Sequence, residues 1–166
     1  HEPEELMMGA DTNGQPPLLV MLDGIQDPHN LGAIARTADA AGAHGLIIPE
    51  RRAVGITAGA VRASAGALEH VKVSRVTNLN RTIERLKETG MMVVGLDAEG
   101  DVEYTEADYK GPLLIVIGSE GNGLSRLVRE NCDQIASIPM AGKLSSLNAS
   151  VSAGLVLYEA FRQRRA

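Results

Sequence analysis

Tryptophan is absent from the 166 residues, and Tyr104, Tyr109, Tyr158 and Phe161 are the only aromatic side chains. The core must therefore be aliphatic, and base-stacking platforms of the kind single-strand binders use are nearly excluded. Cys132 is the single cysteine, which rules out an intrachain disulfide and a zinc site built on thiolates. The four histidines, His1, His29, His44 and His70, have no ligand spacing, so no metal is expected. No apolar run approaches the roughly 20 residues of a membrane span. A surplus of basic charge is also missing. Net charge is −5, and the first 17 residues carry Glu2, Glu4, Glu5 and Asp11 with no Lys or Arg. With those four acids set aside from 21, the rest holds 17 acidic against 16 basic residues. A stand-alone nucleic-acid binder is normally basic, so any RNA grip is local or supplied from elsewhere. The segment HEPEELMMGADTNGQPP has no signal-peptide core and begins with His, as a processed or truncated chain would. Residues 1–17 read as a flexible linker, and a cytoplasmic location is expected.

What is present has a regular order. From residue 18 onward, short apolar runs alternate with helical patterns. Strands are predicted over 18–23, 45–48, 71–76, 92–96, 113–118 and 134–138, and helices over 31–41, 57–65, 79–89, 124–131 and 147–164. Runs such as LLIVIG are apolar throughout, as strands covered by helices on both faces require. The pattern predicts one α/β domain over 18–166 with a mostly parallel, Rossmann-like sheet. Ligands of such sheets bind beyond the carboxyl ends of the strands. In the first helix Asn30 can serve as cap and Gly42 as stop. Leu31, Ile34, Ala35 and Ala38 form its apolar stripe, and Arg36 lies roughly 140° from Leu31, away from that stripe.

Three strand-to-helix junctions carry the chemistry. DGIQDPHNLGAIAR, from Asp23 to Arg36, is a polar loop opening a helix; by itself it reads more readily as a capped helix bearing a solvated arginine than as a site. GSEGNGLS, from Gly118 to Ser125, follows the most apolar strand. Its glycine order is not that of a dinucleotide site, and no phosphate-binding P-loop exists in the chain, which disfavours a nicotinamide-binding domain. The third junction, IPMAGKLSSLNASVS from Ile138 to Ser152, offers Ser145, Ser146, Asn148, Ser150 and Ser152 at one helix start. Capping needs one such side chain, and Ser145 or Ser146 is expected to provide it. The surplus points to a site.

These three segments resemble the signature motifs of the SpoU/TrmH family of RNA ribose 2′-O-methyltransferases, and SAGALEHV with RVTNL (64–71 and 75–79) resembles its bacterial 23S rRNA guanosine branch. The likeness runs from about residue 18 to 165. It implies a fold with a trefoil knot near the C-terminus, a homodimer sharing its active sites, and S-adenosylmethionine as methyl donor. It implies catalytic roles for Asn30, Arg36, Glu120, Ser146 and Asn148. Gly118, Ile138, Leu147, Leu96 and Met140 are implied to contact the donor. A separate RNA-binding domain upstream of this chain is also implied. His70 lies outside all three motifs and is not expected to be a base. The acceptor is expected to be a ribose, of guanosine, in 23S rRNA. Two other readings stay open: a tRNA or different rRNA site, and a knotted dimer that binds donor or RNA without turnover.

Overall fold

The computed structural model describes residues 1–50 and 66–166. The helix predicted over 57–65 lies outside the described residues, as do Ser64 and Ala65. Strands β1 (Leu18–Asp23), β2 (Gly45–Pro49), β3 (Val73–Val76), β4 (Met92–Leu96), β5 (Val102–Glu103), β6 (Leu113–Gly118) and β7 (Gln134–Ser137) form one sheet in the order β3-β2-β1-β6-β4-β7-β5. Every pairing is parallel. The expected α/β architecture holds. Its order is set by the last strands, because β6 enters between β1 and β4, and β7 between β4 and β5.

The uniform apolarity of the strands follows from two separate cores. In β1, Leu18, Val20 and Leu22 face one layer while Leu19 and Met21 face the other; in β6, Leu113, Ile115 and Ile117 alternate likewise with Leu114 and Val116. The period-two geometry of a strand demands this when both faces are covered. The first layer contains α3 (Pro28–Ala40) and the long α6 (Ala149–Arg165), and the second α4 (Leu79–Glu88) and α5 (Arg126–Asn131). On α3 the stripe of Leu31, Ile34, Ala35 and Ala38 is fully buried and Arg36 is exposed, as the helical spacing predicts.

Local chemistry corrects several boundaries. Helix α3 begins three residues before the predicted start. Asp27, not Asn30, caps it by accepting the His29 N–H at 2.9 Å, with Pro28 as the first helical residue. Ala41 and Gly42 close it through Thr37 O and Asp39 O. Asn78 caps α4 by accepting the Arg81 N–H. Residues 3–13, read from composition as linker, form α1 (Pro3–Leu6) and α2 (Met8–Asn13). Pro3 and two glutamates occupy the first turn of α1, while Leu6, 1% exposed, packs over Gly45. Glu4 grips Arg85 of α4 through two hydrogen bonds, 2.5 and 3.0 Å. Cys132 lies half-buried with its thiol donating to Val128 O, and burial, reinforced by Asp133, pushes its pKa to about 12. It is an inert core group.

Helix α6 is fastened at its far end. Gln163 accepts the Tyr109 N–H and donates to Ala107 O, and Arg164 donates to the carbonyls of Tyr109, Gly111 and Pro16. Beside Arg164, the Nδ1 of His44 accepts the Leu18 N–H at 3.0 Å, so that nitrogen must be unprotonated. Burial, then the charge of Arg164, lowers the His44 pKa. A His whose folded pKa lies below its unfolded value of about 6.5 adds stability above that pH and loses it as pH falls. The stability difference between the wild type and a His44→Gln variant should therefore shrink as pH drops below about 6.5 in urea denaturation series. A difference constant across that range would refute the assignment.

Candidate functional site

The carboxyl ends of the parallel strands open into a cleft of about 510 Å³. Leu96 ends β4 with Asp97 just after it, Ile117 and Gly118 end β6, and Ile138 and Met140 follow β7. Ser145, Ser146, Leu147, Ala149 and Ser152 supply the wall at the start of α6. All five expected donor-contact residues, Leu96, Gly118, Ile138, Met140 and Leu147, line this cleft, and so do Glu120 and Ser146. Segments distant in sequence meet here because parallel strands deliver their carboxyl ends to one edge.

The floor of the cleft is a glycine loop turned back on itself. Ser119 and Gly123 exchange two backbone hydrogen bonds, 3.2 and 2.8 Å. Gly118 sits inside this fold-back: a Cβ there would overlap the carbonyl carbon of Gly123 and lie 2.7 Å from Leu124 N. Gly123 adopts φ of +65°, where a side chain is strained, and a Cβ would stand 2.6 Å from Asp97 Oδ2. Both glycines are therefore required by the close return of the loop's own backbone and by Asp97. The predicted helix over 124–131 starts instead at Arg126, because the N–H groups of Leu124 and Ser125 bond to Asp97 and Asp23.

The other three expected residues are not among those that line the cleft. Asn148 caps α6 by accepting the Ser150 and Val151 N–H groups, a role expected of Ser145 or Ser146. Its Nδ2 also donates to Asn30 Oδ1 at 3.4 Å, joining the first and third junctions. Asn30 is half-buried in the first turns of α3. Arg36 is exposed on the outer face of α3, does not line the cleft, and has no hydrogen bond or ion pair among the described residues. His70 is exposed at the end of a short 3₁₀ turn and does not line the cleft. Asp97 and Asp23, with Arg126 and Arg129 at the rim, were not singled out from sequence. Position at a strand end is the one signal that could have marked the aspartates.

The cleft suits a small ligand with both apolar and polar parts. Its volume falls within the roughly 300–1,000 Å³ of small-molecule sites. Leu96, Ile117, Ile138 and Leu147 give apolar walls, and Glu120, Ser119 and Ser146 give polar contacts. Apolar walls with polar groups beside them fit S-adenosylmethionine. Among the described residues no group of three or more His, Cys, Asp or Glu is placed to hold a metal, and no helix is long and apolar enough to cross a membrane.

A parallel α/β domain with a ligand cleft built from a back-folded glycine loop defines the class. Residues 17–158 match the SpoU rRNA Methylase family, and the chain belongs to it. The putative TrmH family tRNA/rRNA methyltransferase YacO of Bacillus subtilis (strain 168) is 53% identical over 163 residues, covering 98% of this chain and 66% of its own length. The SpoU methyltransferase AviRb from Streptomyces viridochromogenes, solved with its cofactor AdoMet, superposes with a TM-score of 0.83 at 39% identity, over 90% of this chain and 61% of AviRb. The A. aeolicus TrmH/SpoU tRNA modifying enzyme superposes with a TM-score of 0.84 at 34% identity, over 91% of this chain and 77% of that one. The chain thus spans less than two thirds of YacO and AviRb.

If the glycine loop forms the donor floor, Gly118→Ala should weaken donor binding about tenfold or more by calorimetry. The added methyl meets the Gly123–Leu124 peptide, so relief requires the loop to open, and overpacking of this kind costs about 1–3 kcal/mol. Retained wild-type affinity would place the donor elsewhere.

Proposed function

We propose that this chain is the catalytic domain of an S-adenosylmethionine-dependent RNA 2′-O-methyltransferase acting on a ribose, of guanosine, in 23S rRNA. The observation that carries the reading is the meeting of the second and third junctions in one cleft, with the first tied to it by the Asn148–Asn30 bond. Family membership and the AdoMet complex of AviRb support it. The donor supplies a methyl group on a sulfonium, which leaves to the ribose oxygen as the C–S bond breaks.

The protein's own task is to align the hydroxyl with that carbon and to ease loss of its proton. Asn30, Glu120, Ser146 and Asn148 provide donors and acceptors for ribose and phosphate. The guanidinium of Arg36 is a donor only, with no lone pair to take a proton. It therefore acts by drawing the phosphate and lowering the hydroxyl's pKa electrostatically. Its place outside the cleft of its own chain suits an active site shared between two copies. The exposed Val151, Leu155 and Tyr158 of α6, with Leu144 before it, offer the apolar face such a homodimer would cover. An RNA-binding domain outside this chain would complete the grip, in keeping with the greater length of YacO and AviRb and with the near-balanced charge. A cytoplasmic location accompanies this reading.

Arg36→Ala should lower turnover about a hundredfold or more, in the usual range for a positioned catalytic group, while donor affinity changes less than about threefold. Equal losses in both would remove Arg36 from the catalytic step. The likeness to a tRNA modifying enzyme favours a second acceptor class. Methyl transfer to 23S rRNA fragments and tRNAs, with the modified sugar mapped, separates the two. Label in a 23S guanosine ribose is expected, label only in tRNA overturns the rRNA assignment, and label in neither favours a non-catalytic binding dimer.

A further inference from the structure

Across three adjacent strands the register places two aspartates around one glycine. Asp23, the last residue of β1, pairs with Gly118 of β6, and on the other side Ile117 pairs with Leu96, the residue before Asp97. Both carboxylates reach over the end of β6 to the far side of its glycine loop. Asp97 Oδ2 accepts the Leu124 N–H at 3.1 Å, and Asp23 Oδ2 accepts the Ser125 N–H at 2.8 Å and the Ser125 hydroxyl at 2.9 Å. Two successive peptide groups at the loop exit are thus held from opposite flanks of the strand at its entrance. Arg129 of α5 secures one flank, standing 3.4 Å from Asp97 Oδ2 while donating to Glu99 O. Asp97 Oδ1 also accepts the Glu99 N–H, which fixes the carboxylate plane.

Ordinary helix capping does not account for this pattern. Ser125 occupies the cap position of α5 yet its hydroxyl donates to Asp23 and makes no cap bond to the helix. The six-residue helix is instead hung from the strand ends. Between the fixed ends stand Glu120, Gly121 and Asn122, all exposed, in a loop whose glycines give it little stiffness of its own. Ordering such a loop at binding would subtract from affinity, and prior ordering removes that loss.

We propose that Asp23 and Asp97 are paired positioning residues whose hydrogen bonds to Ser125 and Leu124 hold the Gly118–Leu124 loop in its donor-receiving shape. The pair sets donor affinity without supplying the chemistry. This rests on the placement of the donor in the cleft.

The test combines calorimetric titration with S-adenosylmethionine and amide hydrogen exchange, well below the melting temperature of each variant. Asp97→Ala and Asp23→Ala should each weaken donor binding about tenfold or more, by loss of preorganisation. Exchange should accelerate at Leu124 in the first and at Ser125 in the second, with the β1 and β6 amides unchanged. Asp97→Asn keeps an acceptor oxygen and should bind within about threefold of wild type, a rescue that general destabilisation would not give. Ser125→Ala removes one of the three bonds and should weaken binding about two- to threefold; it carries the test if an alanine variant at either aspartate fails to fold. Wild-type affinity in the aspartate variants, or in Ser125→Ala where it stands in for them, overturns the proposal. If the donor protects no amide between Gly118 and Leu124 in the wild type, the donor-site reading falls and takes the proposal with it. If it protects them yet binds the aspartate variants normally, only the clamp is refuted.

Discussion

Strand β6 lies between β1 and β4, hydrogen-bonded in parallel to both, and the geometry of the cleft descends from that pairing. Parallel pairing brings three carboxyl ends to one edge within a residue of one another, and each chain must turn there to begin a connection. Backbone groups at such turns have no ladder partner and need other acceptors or donors. Asp23 and Asp97 meet part of that need, while Gly118 leaves space for the returning backbone of Gly123 and Leu124. An antiparallel β6 would send its end to the opposite edge, away from both aspartates.

Rigidity at that edge depends on the apolar layers behind it. Each central strand buries side chains on both faces, so a shift of register would exchange every contact at once. The register therefore holds Gly118 level with Asp23, and that alignment determines which peptide groups the two carboxylates can reach. Helix α6 extends the same logic, since its start forms a cleft wall while Gln163 and Arg164 fasten its end to the 107–111 segment. The methyl transfer proposed for this cleft would demand close alignment of oxygen, carbon and sulfur. A loop rich in glycine meets that demand only when its surroundings hold it.

The parts legible in the sequence were those where one local signal dominates. Strands β1, β4 and β6 coincide with 18–23, 92–96 and 113–118 because their unbroken aliphatic runs have no competing reading. Strand β5 escaped notice, as Val102 and Glu103 carry no apolar pattern and owe their pairing to β7 alone. In α1 and α2 the acidic composition masked Leu6 and Ala10, which are buried; Pro3 followed by Glu4 and Glu5 was the readable start signal of α1. The same signal, Asp before Pro, marked Asp27 as the cap of α3. Of the site, the residues on the three junctions were visible because hydroxyl, amide and glycine groups cluster there. The aspartate pairings were not, because they join positions 27 and 102 residues apart and depend on sheet order.

Asn148 shows how capping and recognition constrain one another. Its Oδ1 accepts two helix N–H groups and the Ser150 hydroxyl, which fixes the amide's orientation as an ordinary surface carboxamide's is not. With the oxygen committed to α6, the Nδ2 must face α3, where it meets Asn30 Oδ1. That in turn commits the oxygen of Asn30 and leaves its own amide N–H groups, unpaired among the described residues, as donors for an incoming acceptor such as phosphate. An aspartate at 148 would cap α6 equally well, yet it would set a carboxylate oxygen against Asn30 Oδ1 and force that amide to reverse. The choice of asparagine over the equally good cap is therefore a requirement of the neighbouring helix. Hydrogen-bond polarity passes from the start of α6 to α3 through a single side chain.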